Sequence, residues 1–168
     1  MRRRNAAVFL ALALAACVPA AGPSAPVNAE EVERLFDDAL EPPTVGITLG
    51  SYENHDTETF VSRARLAEAI YRAQVTSILP IASGGWLVEL TTREVIRGEG
   101  VAPRSVEVEA LPGFATASLI ENFRPNFERA NLLVFARRYA RANERSRWHV
   151  HTVADTAEAR ERLALGSP

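Results

Sequence analysis

Two histidines, His149 and His151, are spaced as a metal-binding pair can be. They alternate with Trp148 and Val150, a pattern that predicts a β-strand with both imidazoles on the same face. Imidazole nitrogens bind Zn²⁺ and related ions, but a site needs further ligands, and the sequence offers only Asp155 as a nearby carboxylate. The alternative is a pair of solvated side chains on the outer face of the strand. We therefore predict two exposed histidines and neither a bound metal nor another cofactor.

A second group of reactive side chains is His55-Asp56 with Glu58. An imidazole beside carboxylates is half of a general acid–base site. The alternative is structural, since the stretch is polar and Asp56 or Thr57 would cap the start of a helix. The sequence contains no nucleophile elbow, no phosphate-binding glycine loop and no metalloprotease helix motif. This absence favours a non-catalytic protein. A hydrolase or metal-dependent enzyme using His55 or the histidine pair is the alternative.

Charge is distributed unevenly along the chain. All 19 basic residues are arginine, and residues 28–58 hold nine acidic residues and one arginine. Residues 124–147 hold seven arginines and two glutamates, a local balance of +5. Five of these arginines bracket a predicted hairpin turn and form what we call the arginine hairpin: Arg137, Arg138, Arg141, Arg145 and Arg147.

A concentrated positive loop attracts phosphate, carboxylate or an acidic protein surface. The alternative is a solvated hairpin that is partly neutralised by the acidic segment. We expect an anionic polymer, lipid head group or protein as the partner of the arginine hairpin. Nucleic acid is not expected, since only Tyr139 and Trp148 lie near these arginines to stack on bases.

A helix is predicted at the start of the acidic region. Asn28 with Glu31 matches a helix-capping pair. The apolar residues that follow share one helical face: Val32, Leu35, Phe36 and Ala39. Pro42-Pro43 ends the helix. Apolar residues then alternate from Val45 to Leu49, which indicates an additional strand reaching Tyr52.

The centre of the chain predicts β-structure. Five segments have strand patterns, at residues 71–79, 86–96, 106–109, 132–136 and 148–151. In the first, alternation places four side chains inward: Tyr71, Ala73, Val75 and Leu79. The second changes its alternation near Glu94-Val95, as a β-bulge does. The fourth is apolar throughout, which is typical of a strand buried on both faces.

Two further helices complete the predicted fold. Residues 112–130 carry too many large apolar side chains for a solvated loop, which predicts a helix that plugs one end of the sheet. Asp155 with Glu158 starts a short terminal helix. The prediction is an α+β, mainly β fold: a five-stranded OB-like Greek-key barrel at about residues 69–153. An N-terminal helix, a helical plug between strands three and four and a C-terminal helix surround it.

Four strand segments also resemble a known family. They are Tyr71-Arg-Ala-Gln-Val-Thr-Ser77, Val88-Glu-Leu-Thr-Thr-Arg-Glu-Val-Ile-Arg-Gly98, Ser105-Val-Glu-Val-Glu109 and Asn131-Leu-Leu-Val-Phe-Ala-Arg-Arg138. They look like the barrel strands of netrin-like domains, a family that includes the tissue inhibitors of metalloproteinases. The resemblance covers about residues 69–153 and implies a fold. It implies no inhibitory residue, because that family relies on disulfides and a free amino-terminal cysteine, and this domain has neither.

The first residues resemble an export signal. After three arginines, the chain is apolar from Ala6 to Ala16. Eleven apolar residues are too few for a membrane-spanning helix, which needs about 20, but they suit a secretory signal. The segment ends in Leu14-Ala15-Ala16-Cys17, which resembles the lipobox of bacterial lipoproteins. That resemblance implies cleavage before Cys17 and a lipid on its thiol, with plain secretory cleavage as the alternative.

This signal divides the chain into residues 1–16, a flexible tether at 17–27 that is rich in proline and small residues, and a single globular domain at 28–168. Removing residues 1–16 takes three arginines away, so the formal charge falls from −2 to −5. Cys17 is the only cysteine, so the domain has no disulfide and no thiolate metal site. Val18 stands where an aspartate often retains lipoproteins in the inner membrane, which favours the periplasmic face of the outer membrane. We therefore predict a lipid-anchored binding or structural module of the cell envelope.

Overall fold

The computed structural model of the chain describes residues 28–46, 57–142 and 144–165. Within these ranges the helices are α1 Ala29–Leu35, α2 Thr57–Leu66, α3 Ala115–Phe127 and α4 Ala157–Leu165, with a 3-10 helix at Pro42–Val45. The strands are β1 Ala39–Leu40, β2 Ala69–Pro80, β3 Trp86–Arg97, β4 Ser105–Ala110, β5 Asn131–Tyr139 and β6 Arg147–Ala154. None of the helices in this part of the chain has the length and apolar character needed to cross a bilayer.

The strands form one curled sheet in the order β1-β6-β5-β2-β3-β4. β1 pairs with β6 in parallel, and every other pair is antiparallel. The α+β prediction is therefore confirmed, and all five predicted strands are present as β2 to β6. Within the described residues the sheet has six strands rather than five, because Ala39-Leu40 adds a short parallel strand beside His151 and Thr152.

Both faces of the sheet are covered by apolar side chains. On the inner face, Leu132, Val134 and Val150 belong to a cluster that also contains Ile120 and Phe127 of α3. The predicted helix between β4 and β5 is therefore present, and it packs on the inner core of the sheet. On the outer face, α1, α2 and α4 pack on a second cluster that contains Leu133 and Phe135. Successive residues of β5 thus point into two cores, which confirms the prediction made from its unbroken apolar run.

Irregular pairing between β2 and β3 changes which side chains point inward. Glu94 pairs with Arg72 and Thr92 with Ala73, so Arg93 is an additional residue, which confirms the predicted bulge in this strand. Two further shifts, between Ile70 and Tyr71 and between Val75 and Ser77, were not predicted, and the second of these affects the predicted inward face. It reverses the alternation beyond that point. Ile78 is consequently buried and Leu79 is 56% exposed, so the inward position predicted for Leu79 is wrong.

The N-terminal helix is shorter than predicted. The Asn28 side chain caps it as expected, accepting a hydrogen bond from the N–H of Glu30. It ends at Leu35, because Asp37 accepts the N–H of Ala39 and Asp38 adopts a left-handed backbone with φ +61°. The additional strand predicted from Val45 to Tyr52 begins with a residue of the 3-10 helix, and its remaining positions lie almost entirely outside the described residues.

Candidate functional site

The segment between α1 and the 3-10 helix lies across the outer face and edge of β6, and we call residues 36–41 the acidic segment. Its carboxylates come from Asp37, Asp38 and Glu41, of which Asp38 and Glu41 are buried. The main chain fastens it to β6: the N–H of Asp38 donates to the carbonyl of Val150 at 2.8 Å. Carboxylates in this position meet the imidazoles and guanidinium groups that β6 presents.

Asp38 is the centre of this contact. Its Oδ1 accepts the N–H of Val150 at 3.0 Å. Its Oδ2 lies 2.9 Å from Nδ1 of His149, 3.1 Å from Nη2 of Arg147 and 3.5 Å from Nη2 of Arg141. The side chain is only 8% exposed. One carboxylate therefore joins the β6 edge and two arginines of the hairpin to the acidic segment.

His151 occupies a second position in the same contact. Its Nδ1 is 2.8 Å from Oδ1 of Asp37, and its Nε2 is 2.5 Å from Oε1 of Glu41. Both ring nitrogens can donate to carboxylates only when the imidazole is protonated. Burial raises the pKa of Asp37, but the hydrogen bond and positive charge of His151, together with backbone hydrogen bonds such as that from Ala39, outweigh burial and leave that pKa below its usual value.

His149 is wholly buried and stacks on Tyr139 with 4.1 Å between ring centroids. Its Nε2 has no hydrogen-bond partner in the described structure. The prediction that His149 and His151 are exposed is therefore wrong. The sequence pattern did not show that the acidic segment would cover this face of β6. In the described ranges, no group of three or more His, Cys, Asp or Glu side chains is placed to hold a metal ion.

The five residues of the arginine hairpin do not form one patch. Arg141 and Arg147 are committed to Asp38, and Arg141 also donates to the carbonyl of Phe36. Arg137 donates to the carbonyl of Leu66 at the end of α2. The acidic segment thus partly neutralises the hairpin, as the alternative interpretation expected.

Arg138 and Arg145 have different surroundings. The guanidinium of Arg138 lies 5.1 Å from the ring centroid of Trp148, and the side chain is exposed. Arg145 is exposed near the tip of the hairpin and forms no ion pair with any described residue. Neither guanidinium group forms an ion pair with a described residue, and both are exposed to solvent.

A cleft of about 710 Å³ lies between the hairpin and β4. Trp148 and Val106 provide apolar surface in it. Its charged lining residues are Arg145, Arg147 and Glu144 of the hairpin and Glu107 and Glu109 of β4. The buried histidines are not among its lining residues.

The remaining candidates lie elsewhere. Glu58 is exposed in the first turn of α2, while His55 and Asp56 fall outside the described residues. Cys17 also falls outside them.

Sequence reasoning missed the three carboxylates that the histidines contact. Asp37, Asp38 and Glu41 are more than 100 positions away from β6. The available signal was the opposite charge of the two regions, which indicated attraction but not which residues would pair. No protein-family model, curated protein or solved structure matches this chain.

Proposed function

We propose that this chain is a lipid-anchored protein of the bacterial cell envelope and that its domain is a non-catalytic module that binds an anionic partner. The anchor is supported by the sequence Leu14-Ala15-Ala16-Cys17, which lies outside the described residues. The single observation that supports the binding role is that Arg145 is exposed beside the cleft and forms no ion pair with a described residue.

The binding surface is narrower than the five arginines of the hairpin. Arg137, Arg141 and Arg147 are held by acceptors of the domain itself, so using them would break existing contacts. Arg138 and Arg145 donate to no such acceptor in the described structure, so a partner can bind their guanidinium groups without breaking a hydrogen bond or ion pair. Guanidinium groups suit the task because their planar donor fork meets a carboxylate or phosphate with two parallel hydrogen bonds.

The proposal also includes a more specific assignment of the fold. We propose that the curled sheet is an incomplete OB-type barrel of the netrin-like kind, with its gap between β4 and β6. The helix α3 between β4 and β5 supports this assignment. In OB folds the loop joining the last two strands borders the ligand-binding face, and here that loop carries Arg145.

A catalytic function is the second candidate, because Asp38 orients His149 and leaves its Nε2 unpaired, as in an acid–base dyad. Burial argues against it: His149 is 0% exposed, so no substrate reaches Nε2 unless the acidic segment moves away. Diethyl pyrocarbonate, which modifies accessible imidazoles, separates the two functions. A binding module leaves His149 unmodified in the folded chain, whereas an enzyme whose dyad opens exposes it to the reagent.

Co-purification from native membranes tests the binding role. We expect the double variant Arg138→Glu/Arg145→Glu to lose the partner of the wild-type chain while its melting temperature stays nearly unchanged. The matched control is Arg104→Glu/Arg129→Glu, which reverses two exposed arginines away from the hairpin. Retention of every wild-type partner by the first variant would refute the proposal.

The anchor has its own test. Cys17→Ser removes the thiol that would carry the lipid, so we expect the chain to leave the membrane fraction and the detergent phase. Ser24→Ala, in the predicted tether, is the control and should fractionate like the wild type. Unchanged fractionation of Cys17→Ser would contradict lipid anchoring.

A further inference from the structure

The cleft between β4 and the arginine hairpin is bounded by an open sheet edge. β4 pairs with β3 and is the last strand on its side of the described sheet. Its six residues pair in regular register from Ser105 to Ala110 and contain no proline. An uncovered strand of this kind presents a row of main-chain donors and acceptors that another strand can use.

The opposite wall is protected over most of its length. β1 covers β6 at His151 and Thr152, and Asp38 binds both main-chain groups of Val150. Only the start of β6, at Arg147 and Trp148, borders the cleft. β4 approaches the start of β6, but no main-chain hydrogen bond joins these two strands within the described residues, so β4 provides the open strand edge of the cleft.

Apolar and charged side chains of β4 lie on opposite faces of the strand. Val106 and Val108 of β4 point into the inner core, whereas Glu107 and Glu109 are exposed on the other face. Trp148 is partly buried against the same core. A strand lying along β4 would place alternate side chains on this apolar surface and the others among the charged groups.

The charges distinguish between possible occupants. A uniformly anionic polymer or membrane surface would be attracted by Arg145 but repelled by the three glutamates that line the same cleft, Glu107, Glu109 and Glu144. A second copy pairing through β4 would bring these glutamates against their equivalents, which is unfavourable. An extended peptide with charges of both signs matches this mixed lining: its basic residues would face the glutamates and its acidic residue would face Arg145.

We propose that the cleft binds an extended peptide segment of a partner protein, in which apolar residues alternate with charged ones, and that this segment adds a strand to the open edge of β4. The inference rests on the proposed binding function and names the class of its partner. Main-chain hydrogen bonds would supply affinity, and the charged walls would supply selectivity.

Selection from a displayed library of linear octapeptides, with the purified full chain as target, tests this inference. We expect selected sequences to alternate apolar and charged residues and to include both signs of charge. A synthetic peptide of the consensus should bind Glu107→Arg/Glu109→Arg and Arg145→Glu at least about tenfold more weakly than the wild type. The control Glu99→Arg/Glu121→Arg, with the same charge change at exposed sites outside the cleft, should bind it normally.

Two anionic probes are measured in parallel: long-chain polyphosphate and phosphatidylglycerol vesicles. If the library yields no binder while either probe binds through Arg138 and Arg145, the peptide inference fails and the proposed function stands. If neither the library nor an anionic probe yields binding that depends on these arginines, both fail. Peptides that bind Glu107→Arg/Glu109→Arg as well as the wild type would also overturn the inference.

Discussion

The contact between the acidic segment and β6 differs from the cleft beside β4, although both combine carboxylates with arginines. In the first, Asp38 meets His149 and Arg147 at hydrogen-bond distance, and the groups are largely buried. In the second, Arg145 lies in the same cleft as Glu107 without forming an ion pair with it. In the first region the charged groups pair with one another, whereas in the second Arg145 remains unpaired among the described residues.

This difference indicates that the first region stabilises the fold and that the second is available for binding. Charged groups taken out of water are tolerated only when they are paired, so the contact of the acidic segment contributes to the fold and resists change. Exposed charges contribute little to stability and remain available to a partner. Variants in the two regions should therefore separate stability from binding.

The largest expected effect comes from Asp38. Asp38→Ala removes the acceptor of His149, Arg147 and the Val150 N–H, so we expect unfolding free energy to fall by about 3–5 kcal/mol in urea denaturation. Asp38→Asn is the control: it keeps an oxygen for Val150 and tolerates the positive φ, so it should lose less. A loss below about 1 kcal/mol for Asp38→Ala would show that the contact is not structural.

A smaller effect, with a definite pH dependence, is expected at Asp37. Its pKa is lowered in the folded chain, so its carboxylate stabilises the fold above the unfolded value and the contribution disappears as pH falls through the folded pKa. Asp37→Asn should therefore be less stable than the wild type near neutral pH, by at most about 1 kcal/mol because the side chain is 44% exposed. Urea unfolding at neutral and at strongly acidic pH measures the difference. An equal gap at both would contradict the role assigned to the Asp37 charge.

The smallest effect on stability is expected in the cleft. Arg145→Glu and Glu107→Arg change exposed side chains, so the unfolding free energy should stay within about 0.5 kcal/mol of the wild type. The same urea titrations measure it. A loss comparable with that of Asp38→Ala would mean that the cleft is a structural element, and the contrast between the two regions would disappear.

Much of the fold could be predicted because its signals are local. Alternation in β2 to β6, the apolar run of β5 and the Asn28 cap each depend on neighbouring residues, and the structure contains all of them. Leu79 was misplaced because a bulge at Thr76 leaves no clear mark in a sequence of alternating side chains. β1 was missed because two residues carry too little pattern to identify a strand.

The candidate site was harder to predict, for a physical reason. Whether His149 is solvated depends on what covers β6, and that cover comes from Asp38, which is 111 positions away. Opposite net charges of the two regions indicate attraction, but salt-bridge geometry fixes the partners only after the chain has folded. The same limit applies to the hairpin: its sequence could not show that Arg141 pairs with Asp38 while Arg145 forms no ion pair with a described residue.

Amide hydrogen exchange, measured residue by residue in the free chain and with the selected octapeptide, tests the central claim most directly. In the free chain, the amides of Asp38 and Val150 should exchange slowly, and the amides of β4 that face the cleft should exchange fast. Addition of the octapeptide should slow those β4 amides and leave Asp38 and Val150 unchanged. Slow exchange throughout β4 in the free chain, or protection by the peptide at the acidic segment instead of β4, would contradict the account.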